Sequence, residues 1–358
     1  MAHALRLAAR GLGNVWPNPA VGCVLVNQGR IVGRGWTQPG GRPHAETRAL
    51  AQAGDLARGA TAYVTLEPCA HHGKTPPCAE ALVAAGVSRV VTALTDPDPR
   101  VAGRGHGTLR AAGIAVSEGV LAAEAARLNA GFLKRVTKDL PFVTLKLATT
   151  LDGRIATAAG ESRWITGPAA RRHTHLMRLA HDAVMVGAGT ARADDPDLTV
   201  RDMGAAHQPL RIVLDSRLSH APGSRLGRTA RQAPVWMVHT AAAPDAARAA
   251  WAATGATLIE VAATPSGHTD PTAALHALAA RGLTRILCEG GGQLAASLIA
   301  ARLVDDLATY HAGALIGADG RPALAALGLT ALADAPRLTL RDRQILGGDA
   351  YALWSCAF

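Results

Sequence analysis

Short apolar runs alternate with stretches of helical periodicity along almost the whole chain, the pattern of an α/β protein. Val21 to Asn27 and Arg30 to Trp36 read as two strands closed around Gln28-Gly29, a hairpin signal. His44 to Ala53 reads as a helix, with Pro43 near its start and Gly54 after its end. Thr61 to Leu66 and Arg89 to Ala93 read as strands, and Pro77 to Ala85 as a helix stopped by Gly86. Strands separated by helices predict a largely parallel sheet. A helix-rich stretch, Gly119 to Lys134, leads to Lys138-Asp139-Leu140-Pro141. The domain boundary is expected there, giving domains 1–140 and 141–358.

Beyond that boundary the alternation resumes. Strands are predicted near Val143 to Ala148, Ala183 to Val186, Arg211 to Leu214, Val235 to His239, Leu258 to Val261 and Arg285 to Cys288. Helical stretches lie between some of them, at Ala169 to Arg178, Pro271 to Arg281 and Gln293 to Arg302. The second domain is therefore also α/β.

Composition narrows the function. At 358 residues, 49% hydrophobic and 18% charged, the chain has ample material for two cores. No apolar run is long enough to span a bilayer, so no membrane partner is expected. The net charge is +10, and only four of the 37 basic residues are lysines. A generally basic surface, a nucleic-acid partner and polyanionic small ligands all fit that charge. The arginines are scattered, and Phe and Tyr number only three each, so stacking platforms for bases are poorly supplied. Phosphorylated small molecules are favoured over nucleic acid. Arg6 and Arg10 precede the first acidic residue, Glu46, as in a transit peptide, but the segment lacks serine and a motif begins at Pro17. A cytoplasmic location is expected. Five cysteines without a secretory signal argue against a disulfide framework. Cys23 and Cys288 sit in apolar runs and read as core.

The sharpest chemical signal is His44-Ala45-Glu46, followed by Pro68-Cys69 and then Cys78. One imidazole and two thiolates leave a tetrahedral position open, which marks catalytic rather than structural zinc. Residues two apart do not share a helix face, so His44 can ligate while Glu46 reaches a bound water. Cys78 falls where a helix opens, and the dipole there favours thiolate. Zinc would bring the pKa of water toward about 7, and Glu46 could carry the proton to a ring nitrogen and leaving ammonia. The arrangement follows the H-x-E and P-C-x-x-C signature of zinc nucleobase deaminases, except that eight residues separate the cysteines. The bland alternative is two unrelated buried cysteines and a capping histidine.

Pro17-Asn18-Pro19-Ala20-Val21-Gly22 resembles the N-terminal motif of cytidine-deaminase-like enzymes, and Ala70 to Pro77 resembles the insert of the riboflavin-pathway deaminase. The resemblance implies that Asn18 holds the pyrimidine and that His71 and Lys74 line the substrate and phosphate end. The family commonly has histidine where this chain has Thr37.

Four segments of the second half carry polar residues at predicted strand ends, where open α/β sheets bind ligands. They are Lys146 to Arg154 with Gly160 to Thr166, Gly187 to Thr190 with Asp194 to Arg201, Leu214-Asp215-Ser216, and Glu289-Gly290-Gly291-Gly292-Gln293. The last, a strand, three glycines and a helix, fits a phosphate site or a plain turn equally well. It lacks the G-x-G-x-x-G fingerprint of an ordinary Rossmann dehydrogenase.

Together the four segments resemble the pyrimidine reductase domain of the riboflavin pathway, a relative of dihydrofolate reductase in fold. The whole chain is thus expected to be a cytidine-deaminase-like three-layer domain followed by a dihydrofolate-reductase-like α/β domain. The resemblance implies two cofactors, Zn²⁺ and NADPH, and a phosphorylated aminopyrimidine substrate. NADPH would meet Ala148, Trp164, Thr190, Asp194, Ser216, Gly291, Gly292, Gln293, Leu294, Ala295, Ala296 and Ser297. The substrate of reduction would meet Ser162, Arg178, Leu198, Arg201 and Glu289. Arg178 and Arg201 suit phosphate clamping, since guanidinium offers a bidentate fork. Lys146 and Asp194 are the polar groups expected near the reacting carbon. A homo-oligomer is expected. The rival readings are an RNA-editing adenosine deaminase and a non-catalytic zinc protein with a closed metal site.

Overall fold

A computed structural model describes residues 1–70, 76–99 and 101–356. The chain forms two compact units, Met1–Leu140 and Pro141–Phe358. His71 and Lys74 lie outside the described residues.

The first unit runs α1 (Ala2–Ala8), β1 (Gly22–Asn27), β2 (Arg30–Trp36), α2 (Ala45–Ala53), β3 (Thr61–Val64), α3 (Cys78–Ala84), β4 (Arg89–Thr92), α4 (Arg104–Ala111), β5 (Ala115–Ser117), α5 (Ala122–Leu128) and α6 (Ala130–Lys138). The β1–β2 hairpin turns on Gln28 and Gly29, with φ of 48° and 74°, the pair of positive values a tight two-residue hairpin demands. The sheet order is β2-β1-β3-β4-β5. β1 runs antiparallel to both β2 and β3, and only β3, β4 and β5 are mutually parallel. The expectation of a largely parallel sheet is corrected for this unit. The tight turn forces β2 antiparallel to β1, and the return through α2 lays β3 on the other side of β1.

Side chains alternate across β1, and each set meets a separate core. Cys23 and Leu25 pack with Ala45 and Ala49 of α2, Leu82 of α3 and Leu109 of α4. Val24 packs with Ala4 and Leu7 of α1. The result is a three-layer α/β/α unit.

The contact that places α2 depends on what β2 lacks. A Cβ added at Gly33 would lie 2.2 Å from the Ala49 carbonyl oxygen, and one at Gly35 would lie 2.0 Å from that of Ala45. The helix backbone therefore rests directly on a bare strip of strand.

The second unit runs β6 (Phe142–Thr150), β7 (Arg154–Ala156), α7 (Pro168–Leu179), β8 (Ala183–Gly187), α8 (Ala188–Asp194), β9 (Leu210–Leu214), α9 (Arg225–Arg228), β10 (Val235–His239), α10 (Asp245–Ala253), β11 (Thr257–Glu260), α11 (Pro271–Ala280), β12 (Arg285–Gly290), α12 (Gly292–Ala300), β13 (Asp306–Ala312), β14 (Arg321–Pro322), β15 (Thr339–Leu346) and β16 (Asp349–Ser355). Its nine-stranded sheet has the order β11-β10-β9-β8-β12-β6-β13-β16-β15. Neighbours are parallel from β11 to β13, and the last two pairings are antiparallel. β12 sits between β8 and β6, with Ile286, Leu287 and Cys288 buried. Gly187 and Glu289 stand at the carboxyl ends of β8 and β12, and Lys146 lies midway along the neighbouring β6.

Replacing Gly35 with alanine should drive a methyl group into the α2 backbone. Overpacking of this kind costs about 1–3 kcal/mol or more. A lowered denaturant midpoint together with weaker zinc retention is the expected result; an unchanged midpoint would refute the packing argument.

Candidate functional site

The metal cluster is assembled from three elements. His44 is the residue before α2, Cys69 lies in the loop after β3, and Cys78 is the first residue of α3. His44 Nδ1 lies 3.6 Å from Cys69 Sγ and 3.3 Å from Cys78 Sγ. All three donor atoms fall within 4.8 Å of one another. Zinc bonds of about 2.3 Å to sulfur and about 2.0 Å to nitrogen, at a tetrahedral angle, separate nitrogen from sulfur by about 3.5 Å. The donor set fits zinc in spacing, and two thiolates with a neutral imidazole balance a dication. Among the described residues no fourth His, Cys, Asp or Glu joins the group.

The two sulfurs are inequivalent. The backbone N–H of Cys78, at the start of α3, donates to Cys69 Sγ at 3.3 Å. A hydrogen bond from the Cys78 side chain, aided by that N–H and by His44, holds the Cys69 thiol down at about 4. The Cys78 thiol is pushed up by its bond to Cys69 and by burial. The N–H at the start of α3 thus points at Cys69 Sγ, so that end of the helix serves Cys69 as well as carrying Cys78. Bonding to Cys69 raises His44 in turn.

Glu46, in the first turn of α2, is only 3% exposed. Burial, and then the charge of Cys69, push its carboxyl up to about 7. A carboxyl group with that pKa can both take and release a proton near neutral pH.

Asn18 lies on the segment leading into β1. Its Nδ2 donates to the Gly41 carbonyl at 3.0 Å. Gly41 has φ of 83°, and a Cβ there would lie 2.0 Å from Asn18 Nδ2, so the side chain is seated against bare backbone. Thr37 is buried, and its hydroxyl accepts the Val21 N–H at 2.9 Å and donates to the Pro19 carbonyl at 3.1 Å. Its hydroxyl is spent on backbone.

One residue that sequence reasoning missed is Glu67, next to Pro68-Cys69. Its buried carboxylate accepts the backbone N–H groups of Asp96 (3.1 Å), Gly103 (3.0 Å) and His106 (3.2 Å). It thereby ties the ligand loop to the start of α4. The signal was available: an acid inside an apolar strand-like run, directly before a metal ligand.

In the second unit, Arg178 and Glu289 form a bidentate pair, with Nε to Oε1 at 2.5 Å and Nη2 to Oε2 at 2.9 Å. Arg178 Nη1 also donates to the Thr199 carbonyl at 2.6 Å. The Arg178 fork thus grips the carboxylate of Glu289, the other charged residue expected to meet the substrate. Burial alone would raise Glu289, but Arg178 and then Lys146 hold it down at about 2. Burial lowers Lys146, against the nearby charge of Glu289 and, more weakly, Asp194. Burial raises Asp194, whose backbone carbonyl accepts from Arg163 Nη2 at 2.6 Å. Arg201 pairs with Asp197 at 3.1 Å, and its backbone N–H donates to His175 Nδ1 at 3.3 Å.

The glycine turn leads from β12 into α12 through Gly290 and Gly291, both with positive φ. A Cβ on Gly291 would sit 2.9 Å from Thr190 Oγ1, which places those two residues side by side. Of the run Gly291 to Ser297, the backbone N–H of Ala295 is already bonded to the Gly291 carbonyl, and Ala295 and Ala296 are buried. The amides open to an anion are those of the first turn, at Gly292, Gln293 and Leu294. Trp164 is 68% exposed, with the guanidinium of Arg171 4.7 Å from its ring. Ser216 Oγ accepts the Thr269 N–H at 2.8 Å. Leu198 is buried in the core with φ of 55°. Ala148 and Ser162 are half-buried.

Comparison with known proteins gives a match in each half of the chain. Residues 1–94 match the cytidine and deoxycytidylate deaminase zinc-binding region, and residues 141–350 match the RibD C-terminal domain. The riboflavin biosynthesis protein RibD of Escherichia coli is 45% identical over 98% of this chain and 96% of its own length. That of Bacillus amyloliquefaciens is 41% identical over 98% and 93%. Among solved structures, a RibD of Acinetobacter baumannii superposes with a TM-score of 0.89 at 39% identity, covering 100% of this chain and 98% of that one. A Thermotoga maritima protein described as a diaminohydroxyphosphoribosylaminopyrimidine deaminase/5-amino-6-(5-phosphoribosylamino)uracil reductase superposes with a TM-score of 0.86 at 33% identity, covering 100% and 97%. The chain belongs to the RibD family of riboflavin biosynthesis proteins.

Proposed function

We propose that this chain performs two consecutive steps of riboflavin biosynthesis. The first is hydrolytic deamination of 2,5-diamino-6-(5-phosphoribosylamino)pyrimidin-4-one. The second is reduction of the ribosyl side chain to ribityl, giving 5-amino-6-(5-phosphoribitylamino)uracil. The observation that carries the first step is the three-donor cluster of His44, Cys69 and Cys78 beside the buried Glu46. Zinc, when bound, supplies a Lewis acid that acidifies water. Glu46 takes the proton and delivers it to the ring nitrogen and then to departing ammonia. Asn18, seated against Gly41, holds the pyrimidine, and His71 and Lys74 reach its phosphate end.

NADPH supplies hydride for the second step. The amides of Gly292, Gln293 and Leu294 receive its phosphates, and Thr190, Ser216 and Trp164 contact the rest. Lys146 and Asp194 stand beside the carbon that takes the hydride and supply the proton taken up by the nitrogen or oxygen attached to it. Glu289 stays anionic and, locked to Arg178, presents a fixed charge, while Arg201 meets the substrate phosphate. Among the described residues no helix is long and apolar enough to cross a membrane. We place the protein in the cytoplasm, acting on small molecules and not on nucleic acid, as a homo-oligomer. The exposed Ile345 and Leu340 on the edge strand β15 support self-association.

Mass spectrometry of products from the diaminopyrimidine ribose phosphate tests both steps. Loss of ammonia without NADPH, and a further gain of two hydrogens with it, is the expected pattern. Glu46→Gln should lower deamination by about 10²–10⁴-fold while zinc content and reduction of the deaminated intermediate persist. Deamination that survives this change sinks the proposal. Chelation of the metal should likewise abolish the first step and spare the second.

The Arg178–Glu289 pair also makes a pH prediction. Glu289 lies below its ordinary value of 4.5, at about 2, so its contribution to stability is present above pH 4.5 and is lost as pH falls toward about 2. That contribution is about 3 kcal/mol. Glu289→Gln leaves the Arg178 charge buried without its counter-ion. It should lower stability at pH 7 by an amount of this order and flatten the acid limb of an unfolding series. An acid limb identical to that of the parent would contradict the assignment.

A further inference from the structure

We infer that Asn129 and Thr37 are positioning residues for deamination, a clamp that fixes the Pro19–Val21 backbone and through it the adjoining Asn18. The inference rests on the reading that Asn18 contacts the pyrimidine.

Pro19 to Val21 precede β1; the Val21 carbonyl still accepts the Thr37 N–H at 2.9 Å, continuing the β1–β2 pairing, while the Ala20 groups lie outside the strand. Ala20 and Val21 are nevertheless buried. Buried backbone groups must be satisfied, and here distant side chains do it. The Asn129 amide answers both groups of one residue: its Oδ1 accepts the Ala20 N–H at 3.0 Å, and its Nδ2 donates to the Ala20 carbonyl at 3.0 Å, across 109 positions of sequence. Thr37 takes the flanking groups, accepting from Val21 N–H at 2.9 Å and donating to Pro19 O at 3.1 Å. Arg135 Nη2 donates to the Pro17 carbonyl at 3.1 Å. Between them, these side chains stand in for a neighbouring strand.

A second observation shows that Asn129 is committed to this task. It is the N-cap residue of α6, a position where asparagine ordinarily bonds the helix's own first amides. It makes no such cap bond. With φ of −95° and ψ of 15° its backbone is not in the extended conformation that capping uses, and its amide serves Ala20. Asn129 also lies beyond residues 1–94, the stretch that matches the zinc-binding region. The substrate-holding part of the site therefore draws on a helix that the metal motif does not include. Asn18 is itself fixed at its other end by the Gly41 carbonyl, so a shift of the Pro19–Val21 backbone pulls the amide out of its seat. Displacements of about 1 Å at a positioned group can cost 10²-fold in rate.

Four variants of the zinc-loaded full chain test the clamp: Asn129→Ala, Thr37→Val, Thr37→Ser and Asn18→Ala. For each, deamination constants, zinc content and reduction of the deaminated intermediate are measured. The second activity, carried by the other unit, reports whether the chain as a whole is intact. Asn129→Ala and Thr37→Val should raise the deamination KM on the order of tenfold, with zinc content and reduction unchanged. Thr37→Ser keeps the hydroxyl and should stay within about twofold of the parent. If Asn129→Ala fails to fold, the contrast between valine and serine at position 37 decides alone. The clamp is overturned if Asn18→Ala raises KM while Asn129→Ala and Thr37→Val do not, or if these two lose zinc and both activities together. An unchanged KM in Asn18→Ala overturns the reading of Asn18 itself, and the inference with it.

Discussion

The direct seating of α2 on the bare backbone of β2 at Gly33 and Gly35 governs the first unit. This helix presents His44 at its start and Glu46 within its first turn, so its height above the sheet sets where both arrive. Any side chain beneath it would lift the ligand and the proton carrier together. The two cysteines come from the other direction, on the loop after β3 and at the head of α3. Glu67 fastens that loop to α4, and the Cys78 N–H fastens it to α3. Each ligand is thus held by hydrogen bonds or backbone packing independent of the metal, and the donors stand at tetrahedral spacing.

The second unit solves a different problem with charge. A buried arginine–carboxylate pair costs desolvation, which here the attraction of Arg178 and Lys146 outweighs, since Glu289 is held below its ordinary range. Such a pair earns its place by fixing geometry. Here it locks Glu289 at the carboxyl end of β12, one residue before the glycines that open onto α12. Lys146 lies within its field and within that of Asp194, and both Lys146 and Asp194 are displaced from their ordinary protonation behaviour by burial. Two groups with opposed shifts beside a fixed anion suit proton handling during a reduction.

Much of this was legible in the sequence because it is local. The Gln28-Gly29 turn, the strand–helix alternation and the His-x-Glu spacing each depend on residues a few positions apart. What escaped was long-range or between side chain and backbone. Nothing periodic marks Asn129 as the partner of Ala20, or Thr37 as a brace for Pro19 and Val21. Arg178 reads as a free guanidinium until the fold brings Glu289 to it across 111 positions. The closing strands β15 and β16 went unread although Gly347-Gly348 lies between them. β15 is almost wholly exposed and carries alternating charges, so it lacks the apolar stripe by which strands are recognised. The antiparallel placement of β1 against β3 depended on the path through α2, which alternation of elements does not encode.

The hold of Asn129 on Ala20 bears on how the smallest working fragment is drawn. A piece ending where the zinc motif ends would keep every metal donor and the proton carrier. It would read as a complete deaminase to any pattern of cysteines and histidines. It would still lack the side chain that braces Ala20, leaving the entry to β1 free to wander. It would lose as well the Gly103 and His106 amides that hold Glu67, so both the metal loop and the nucleobase end lean on chain that the motif does not contain.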